Sequence, residues 1–213
     1  MPNCPKSDKM KTIVINADPK RKGTNAQLMK SAAKGAESVG ATVKYVDLYK
    51  FDISGCRVCL ICKKEGKGCK CHWRDELSPL IEEIFNSDVL LIGVPLFFSH
   101  PSSHYLAFLE RLIFSMVSFK TGNTFKGKVD VGLFYTVEYP ISYFEKSVRP
   151  HLKQSEDLLK MLNGNVVIDT FSNISKTERS DLTDDGINSL KVKEEQFSKD
   201  LDKIFGIAAE LSK

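Results

Sequence analysis

Five cysteines fall within sixteen residues, Cys56, Cys59, Cys62, Cys69 and Cys71, in a C-x2-C-x2-C-x6-C-x-C spacing. Thiols this dense seldom serve core packing. Cysteines separated by two residues let one tight loop aim several thiolates at a common centre, the geometric requirement of a zinc site or an iron–sulfur cluster. Arg57, Lys63, Lys64, Lys67, Lys70 and Arg74 surround them, with only Glu65 in opposition. Cations there favour thiolates and anionic clusters, while the plain alternative is a solvated charged loop. His72, beside Cys71, is either a further ligand or an exposed loop residue. No Ser-His-Asp or Cys-His constellation is evident.

A second group of residues suits a phosphate and a flat ring. Asp18-Pro19-Lys20-Arg21-Lys22-Gly23 is a turn-like stretch before Thr24, Asn25 and Ala26, which open an apolar four-residue repeat. Free N–H groups at a helix N-terminus, with Lys20 and Arg21 beside them, can hold a phosphate. The stretch lacks both G-x-G-x-x-G and G-x-x-x-x-G-K-S/T, which disfavours a Rossmann dinucleotide fold and a P-loop NTPase. Pro95-Leu96-Phe97-Phe98-Ser99 and Thr136-Val137-Glu138-Tyr139 each follow an apolar run and supply aromatic side chains and backbone donors, although such aromatics are often core. Together these loops describe a mononucleotide site such as one for FMN. His100 and His104 follow the first aromatic loop as candidates for the substrate side.

Positioning those loops requires alternating strands and helices. Lys11 to Asn16, Thr42 to Asp47, Asp88 to Val94, Val129 to Thr136 and Asn165 to Phe171 read as strands, and the continuous apolar run at 88–94 suggests burial on both faces. Helices are expected from Thr24 or Asn25 to Gly40, over Glu76 to Asn86, from Ser103 through Leu112, over roughly Ile141 to Leu162, and over about Ile187 to Ser212. Repeated strand–helix units give a doubly wound five-stranded parallel sheet with helices on both faces, and the flavodoxin-like order 2-1-3-4-5 is expected. Ligands in such sheets bind beyond the carboxyl ends of the strands. One domain over residues 1–213 is expected, with a cysteine-rich loop at 52–74.

The chain has 213 residues, 42% of them hydrophobic, and a formal charge of +4 spread along its length. That balance does not imply nucleic acid. No apolar run approaches the roughly 20 residues that span a bilayer, and Met1 to Lys11 lacks an apolar signal-peptide core. A cytoplasmic protein without membrane contact is expected, in which six cysteines argue for ligands or redox chemistry before disulfides.

Ile13-Val14-Ile15-Asn16-Ala17-Asp18-Pro19-Lys20-Arg21-Lys22-Gly23-Thr24-Asn25 resembles the N-G-S-P-R-K-x-G-N-T opening of the NAD(P)H-dependent FMN reductase group of the flavodoxin-like superfamily. Gly93-Val94-Pro95-Leu96-Phe97-Phe98 resembles its G-S-P-x-Y-F segment, and Ala107-Phe108-Leu109-Glu110-Arg111-Leu112 its A-F-L/I-D/E-R-L helix. The cysteine loop with Arg74-Asp75-Glu76-Leu77 resembles a stretch found in many members, including the iron–sulfur flavoproteins, and Glu194 to Asp200 is similar to the family's tail. Asp18 stands where the family usually has Ser, Ala17 replaces a glycine, Thr24-Asn25 reverses Asn-Thr, and Phe97 replaces Tyr.

The resemblance implies FMN held by the three loops, hydride taken from NAD(P)H, electrons passed to a quinone, a flavin or another acceptor, and a homodimer or homotetramer. It also implies the rival reading, an electron-transfer protein with a 4Fe–4S cluster on the cysteines. By spacing, Cys69 completes the compact four-cysteine pattern; by distance to Asp75-Glu76-Leu77, Cys71 does. A non-enzymatic module stabilised by zinc is the third reading.

Overall fold

The structure, a computed structural model, describes residues 9–172 and 184–213. The expected strand at Lys11–Asn16 (β1) forms, and β-branched Thr12, Ile13, Val14 and Ile15 suit a pleated, buried surface. It is followed by helix α1 (Thr24–Ser38), strand β2 (Thr42–Asp47), helix α2 (Leu77–Phe85), strand β3 (Val89–Phe97), helix α3 (Ser103–Met116), strand β4 (Val129–Val137), helix α4 (Arg149–Leu159), strand β5 (Asn163–Ser172) and helix α5 (Asp184–Leu211). The five strands are parallel in the order β2-β1-β3-β4-β5, the doubly wound order expected from the sequence.

Strand β3 lies at the centre, paired with β1 through Thr12–Val89 to Asn16–Gly93 and with β4 through Val89–Asp130 to Pro95–Thr136. Both its faces are covered, which explains its unbroken apolar run. Its even-numbered residues Leu90, Ile92 and Val94 pack with Leu80, Phe108, Leu112, Leu133 and Leu152 beneath α2, α3 and α4. Its odd-numbered Val89 and Leu91 pack with Leu28, Met29, Phe134, Phe171 and Ile204 beneath α1 and α5.

The expected single helix over 141–162 is interrupted. One turn at Ile141–Tyr143 runs into a π-helical segment at Phe144–Val148 before α4 begins. Phe144 and Val148 are buried there, so the wider turn brings both onto the sheet. Among the described residues, no helix is long and apolar enough to cross a membrane.

Candidate functional site

At the carboxyl end of the sheet, a cleft of about 740 Å³ opens between the loops after β1, β3 and β4. Its size lies within the usual range for small-molecule sites, roughly 300–1,000 Å³.

One wall is the loop from Ala17 to the start of α1. Gly23 precedes that helix without a side-chain cap, so its N-terminal end faces the cleft beside Lys20 and Lys22. Partial positive charge from the helix and two ammonium groups then share one corner, which suits an anion. The loop's shape is held from below. Asn16, fully buried at the end of β1, accepts hydrogen bonds at Oδ1 from Asn25 Nδ2 (2.6 Å) and from the Asp18 N–H (3.3 Å), and donates from Nδ2 to Asp47 Oδ1 (3.0 Å). Asn25 also donates to the Gly93 carbonyl (3.2 Å) and accepts from Thr136 Oγ1 (3.4 Å). A single buried amide therefore ties α1 to β1, β3 and β4.

Asp18 is turned into this loop. Its Oδ1 accepts the Lys20 N–H at 2.7 Å, closing a tight turn within the loop. Burial raises the carboxyl's pKa, opposed by that hydrogen bond and by the charge of Lys20. The carboxylate still borders the cleft.

The opposite wall is aromatic. Strand β3 turns back through Phe98 and Ser99 to His100–Pro101, with Phe97 paired to His100. Phe98 and Ser99 both have positive φ, 51° and 65°. Such a turn suits Asn-Gly, and it is strained for Phe-Ser. It leaves the Phe98 ring 98% exposed at the rim. Tyr139 and Tyr143 meet edge to face at 5.2 Å on the third side.

Of the residues expected at the site, Asp18, Lys20, Thr24, Asn25, Pro95 to Ser99 and Thr136 to Tyr139 line the cleft together. Arg21 and Ala26 are not among them: Arg21 lies exposed in the turn, and Ala26 is fully buried beneath it. The lining residues missed were Lys22, Gly23, Gln27 and Tyr143. For Lys22 the signal was present, since three basic residues precede Gly23 and only the turn's geometry chooses among them. Neither His100 nor His104 lines the cleft; His104 stacks on Tyr49 at 3.8 Å.

The cysteine loop lies against the helix face of α3. Cys56, Cys59, Cys62 and Cys71 line one cavity of about 20 Å³ with Arg111. Cys69 stands apart, with Sγ 3.7 Å from Thr124 Oγ1 and its backbone N–H on the Ser115 carbonyl. Arg111, 2% exposed, pairs with Asp75 through both ends of its guanidinium and donates from Nη2 to Ser78 Oγ (2.8 Å) and to Cys71 Sγ (3.3 Å). Burial of Asp75 works against its charge, but the Arg111 bonds outweigh it and hold the carboxyl below its usual range. The Cys62 thiol is pushed up by its burial and by Cys59, Cys71 and Cys56, against the pull of Lys63. His72 is engaged by the Lys67 carbonyl at 3.2 Å. Among the described residues, no three Cys, His, Asp or Glu side chains stand where they could hold a metal ion.

The family described as NADPH-dependent FMN reductase matches residues 10–172. Among curated proteins, an iron-sulfur flavoprotein of Methanocaldococcus jannaschii is 25% identical over 123 residues, 58% of this chain and 62% of the relative. An iron-sulfur flavoprotein of Archaeoglobus fulgidus is 27% identical over 104 residues, 49% of this chain and 46% of the relative. The chain thus spans about half the length of the curated relatives it matches. Among solved structures, an NAD(P)H:quinone oxidoreductase from Methanothermobacter marburgensis superposes with a TM-score of 0.70 at 13% identity, over 96% of this chain and 98% of that one. An FMN-dependent NADH-azoreductase from Bacillus anthracis, in complex with FMN, gives 0.65 at 14% identity, over 95% and 100%. At these identities the likeness is one of fold.

Proposed function

The chain belongs to the NADPH-dependent FMN reductase family, and from that premise we propose that it is an FMN-dependent oxidoreductase taking hydride from NAD(P)H and passing electrons to a quinone, another flavin or a similar planar acceptor. The observation that carries this reading is the pairing of an uncapped helix N-terminus, flanked by Lys20 and Lys22, with an aromatic wall across one cleft. That donor set fits FMN, a single phosphate joined to a flat ring. FMN, when bound, supplies the hydride and electron chemistry.

The protein's own residues bind, orient and shield. Lys20, Lys22, Thr24 and the first turn of α1 would hold the phosphate by charge-assisted hydrogen bonds. Pro95 to Ser99 and Thr136 to Tyr139 would flank the ring, with backbone N–H groups available to the side where negative charge develops. Phe97, Phe98 and Tyr139 would keep water from the ring face. Exposed Phe98 and Tyr143 at the cleft support assembly with further copies, as a homodimer or homotetramer; light scattering tests that.

Reconstitution with FMN and with riboflavin tests the assignment. FMN is expected to bind far more tightly, and Lys20→Gln with Thr24→Ala to weaken it by about 1–3 kcal/mol. Equal affinity for riboflavin would overturn the phosphate site.

A further inference from the structure

The inner face of α4 carries an acid that the cleft does not use. Leu152, Glu156 and Leu159 are the buried residues of that helix, and the two leucines share a core with Tyr105 of α3 and Tyr135 of β4. Both Glu156 carboxyl oxygens and both tyrosine hydroxyls are buried without a hydrogen bond. Buried polar groups are normally paired, so orphaned oxygens on one face of the sheet call for a reason.

The cation that could serve Glu156 is engaged elsewhere. Arg149, at the start of α4, donates from Nη1 to both carboxylate oxygens of Glu145, at 3.0 and 3.1 Å. Its Nε stands 3.7 Å from Glu156 Oε1, an ion pair too long for a hydrogen bond. One guanidinium is thus shared between an exposed carboxylate and a buried one. Glu145 belongs to the π-helical segment Phe144–Val148, which joins α4 to the turn carrying Tyr143. Tyr143 meets Tyr139 edge to face on the third side of the cleft. The choice of partner by Arg149 is therefore tied through the π turn, a geometry frequent at functional sites, to that wall.

We propose that Arg149 is a proton-operated switch on this wall: it stays with Glu145 while Glu156 is neutral and transfers to Glu156 when that carboxyl ionises, loosening Tyr139 and Tyr143. The inference rests on the cleft being the FMN site. A neutral Glu156 leaves Arg149 with Glu145. Once Glu156 loses its proton to solvent, a bare buried carboxylate is unfavourable, and closing the gap to Arg149 Nε is the short route to a partner. That movement draws the guanidinium from Glu145, and the π turn loses the ion pair that spans it.

Burial holds the Glu156 carboxyl above its usual range, against Arg149 and Lys153 and with Asp157 and Glu145 adding to the rise. From α3 and β4 the facing groups are Tyr105 and Tyr135, whose hydroxyls are pushed far above the usual phenol range, chiefly by burial. Both tyrosines therefore stay neutral while Glu156 titrates. The wall is held at low pH and released as pH rises through the Glu156 titration.

FMN titration and amide hydrogen exchange of the full chain, from about pH 5 to about pH 9, test this. In the native chain, FMN affinity should fall about five-fold or more across one titration, and the FMN-free protein should lose protection over residues 141–149 at the same midpoint. Glu156→Gln should keep the tight state at every pH. Glu145→Gln, an exposed change, leaves Arg149 to Glu156 alone and should move the midpoint to lower pH; it decides the matter should the buried variant not fold. A native chain without the transition, the same transition in Glu156→Gln, or an unmoved midpoint in Glu145→Gln would each overturn the proposal. Failure to bind FMN at any pH would instead overturn the reading of the cleft, since exchange over 141–149 reads the switch without flavin.

Discussion

Gly93→Ala would strike the phosphate corner from behind. Gly93 sits on the α1 side of central strand β3, where an added Cβ would lie 2.4 Å from Met29 Cγ, 2.5 Å from its sulfur and 2.9 Å from Asn25 Oδ1. Ordinary contact begins at 3.4 Å, so the overlaps are 3.4 − 2.4 = 1.0 Å and 3.4 − 2.9 = 0.5 Å. Met29 is fully buried and has no open side to swing into, and Asn25 is pinned by Asn16, the Gly93 carbonyl and Thr136. Helix α1 must therefore lift at its first turn. Overpacking of this kind costs about 1–3 kcal/mol, offset by roughly 0.5–1 kcal/mol from replacing a strand glycine. The net loss, about 1–2 kcal/mol, lowers Tm by about 2–8 °C at this chain length.

The functional signature is separate. A first turn displaced by a fraction of an ångström lengthens its bonds to the phosphate, and FMN affinity should fall by about 1–1.5 kcal/mol, roughly five- to twelve-fold. Gly132→Ala is the control. It lies on the same face of β4, and its Cβ would meet Leu91 Cδ2 and Phe134 Cζ at 2.8 Å, away from the Asn25 network. It should lose similar stability while the folded protein keeps its FMN affinity. Thermal denaturation and flavin-fluorescence titration measure the two quantities. A Gly93→Ala protein no weaker for FMN than Gly132→Ala would refute the coupling between β3 and the phosphate corner.

Asp18→Asn keeps an oxygen for the Lys20 N–H and removes a charge bordering the cleft, so FMN should bind about 1 kcal/mol more tightly at neutral pH; weaker binding in the same titration would show that the carboxylate serves the site. Glu156 is 1% exposed with neither carboxyl oxygen hydrogen-bonded, its Oε1 lying 3.7 Å from Arg149 Nε as an ion pair, and the Tyr105 and Tyr135 hydroxyls beside it make no hydrogen bond. Burial pushes its pKa up, as do Asp157 and Glu145, against Arg149 and Lys153. Its raised folded value means that its stability contribution is present below the unfolded value and lost as pH rises through the folded one. Urea denaturation across pH should show this loss in the native chain and not in Glu156→Gln; identical profiles would remove Glu156 as its source. Gly35→Ala, which in an open helix would stabilise, should here destabilise by about 1–3 kcal/mol in chemical denaturation, because its Cβ would stand 2.2 Å from the Phe205 carbonyl of α5.

The sequence by itself determined the sheet and the address of the cleft. Thr12 to Ile15 and Val89 to Val94 are β-branched or apolar without a break, and that pattern reflects burial on both faces, a property each residue carries locally. Turn-forming residues after β1 and aromatic residues after β3 and β4 then fall at the carboxyl ends because every strand points the same way. The tertiary structure decided which side chains meet. Lys22 lines the cleft and Arg21 does not, in a turn where the Lys20 N–H is held by the Asp18 carboxylate and the Gly23 N–H by the Lys20 carbonyl. The amide network that fixes the corner joins Asn25 to Gly93 and Thr136, 68 and 111 residues away, beyond any periodicity. The helical pattern over 141–162 gave no warning of its π-turn, since Phe144 and Val148 satisfy a four-residue spacing while the backbone widens to bury both. Of the five cysteines, spacing favoured Cys69 and the neighbouring motif Cys71; a buried guanidinium on α3, 40 residues away, brings Cys71 to the group, while Thr124 holds Cys69 outside it. Local chemistry reads from the chain, whereas the choice between adjacent candidates rests on left-handed backbone turns and long-range partners that only packing supplies.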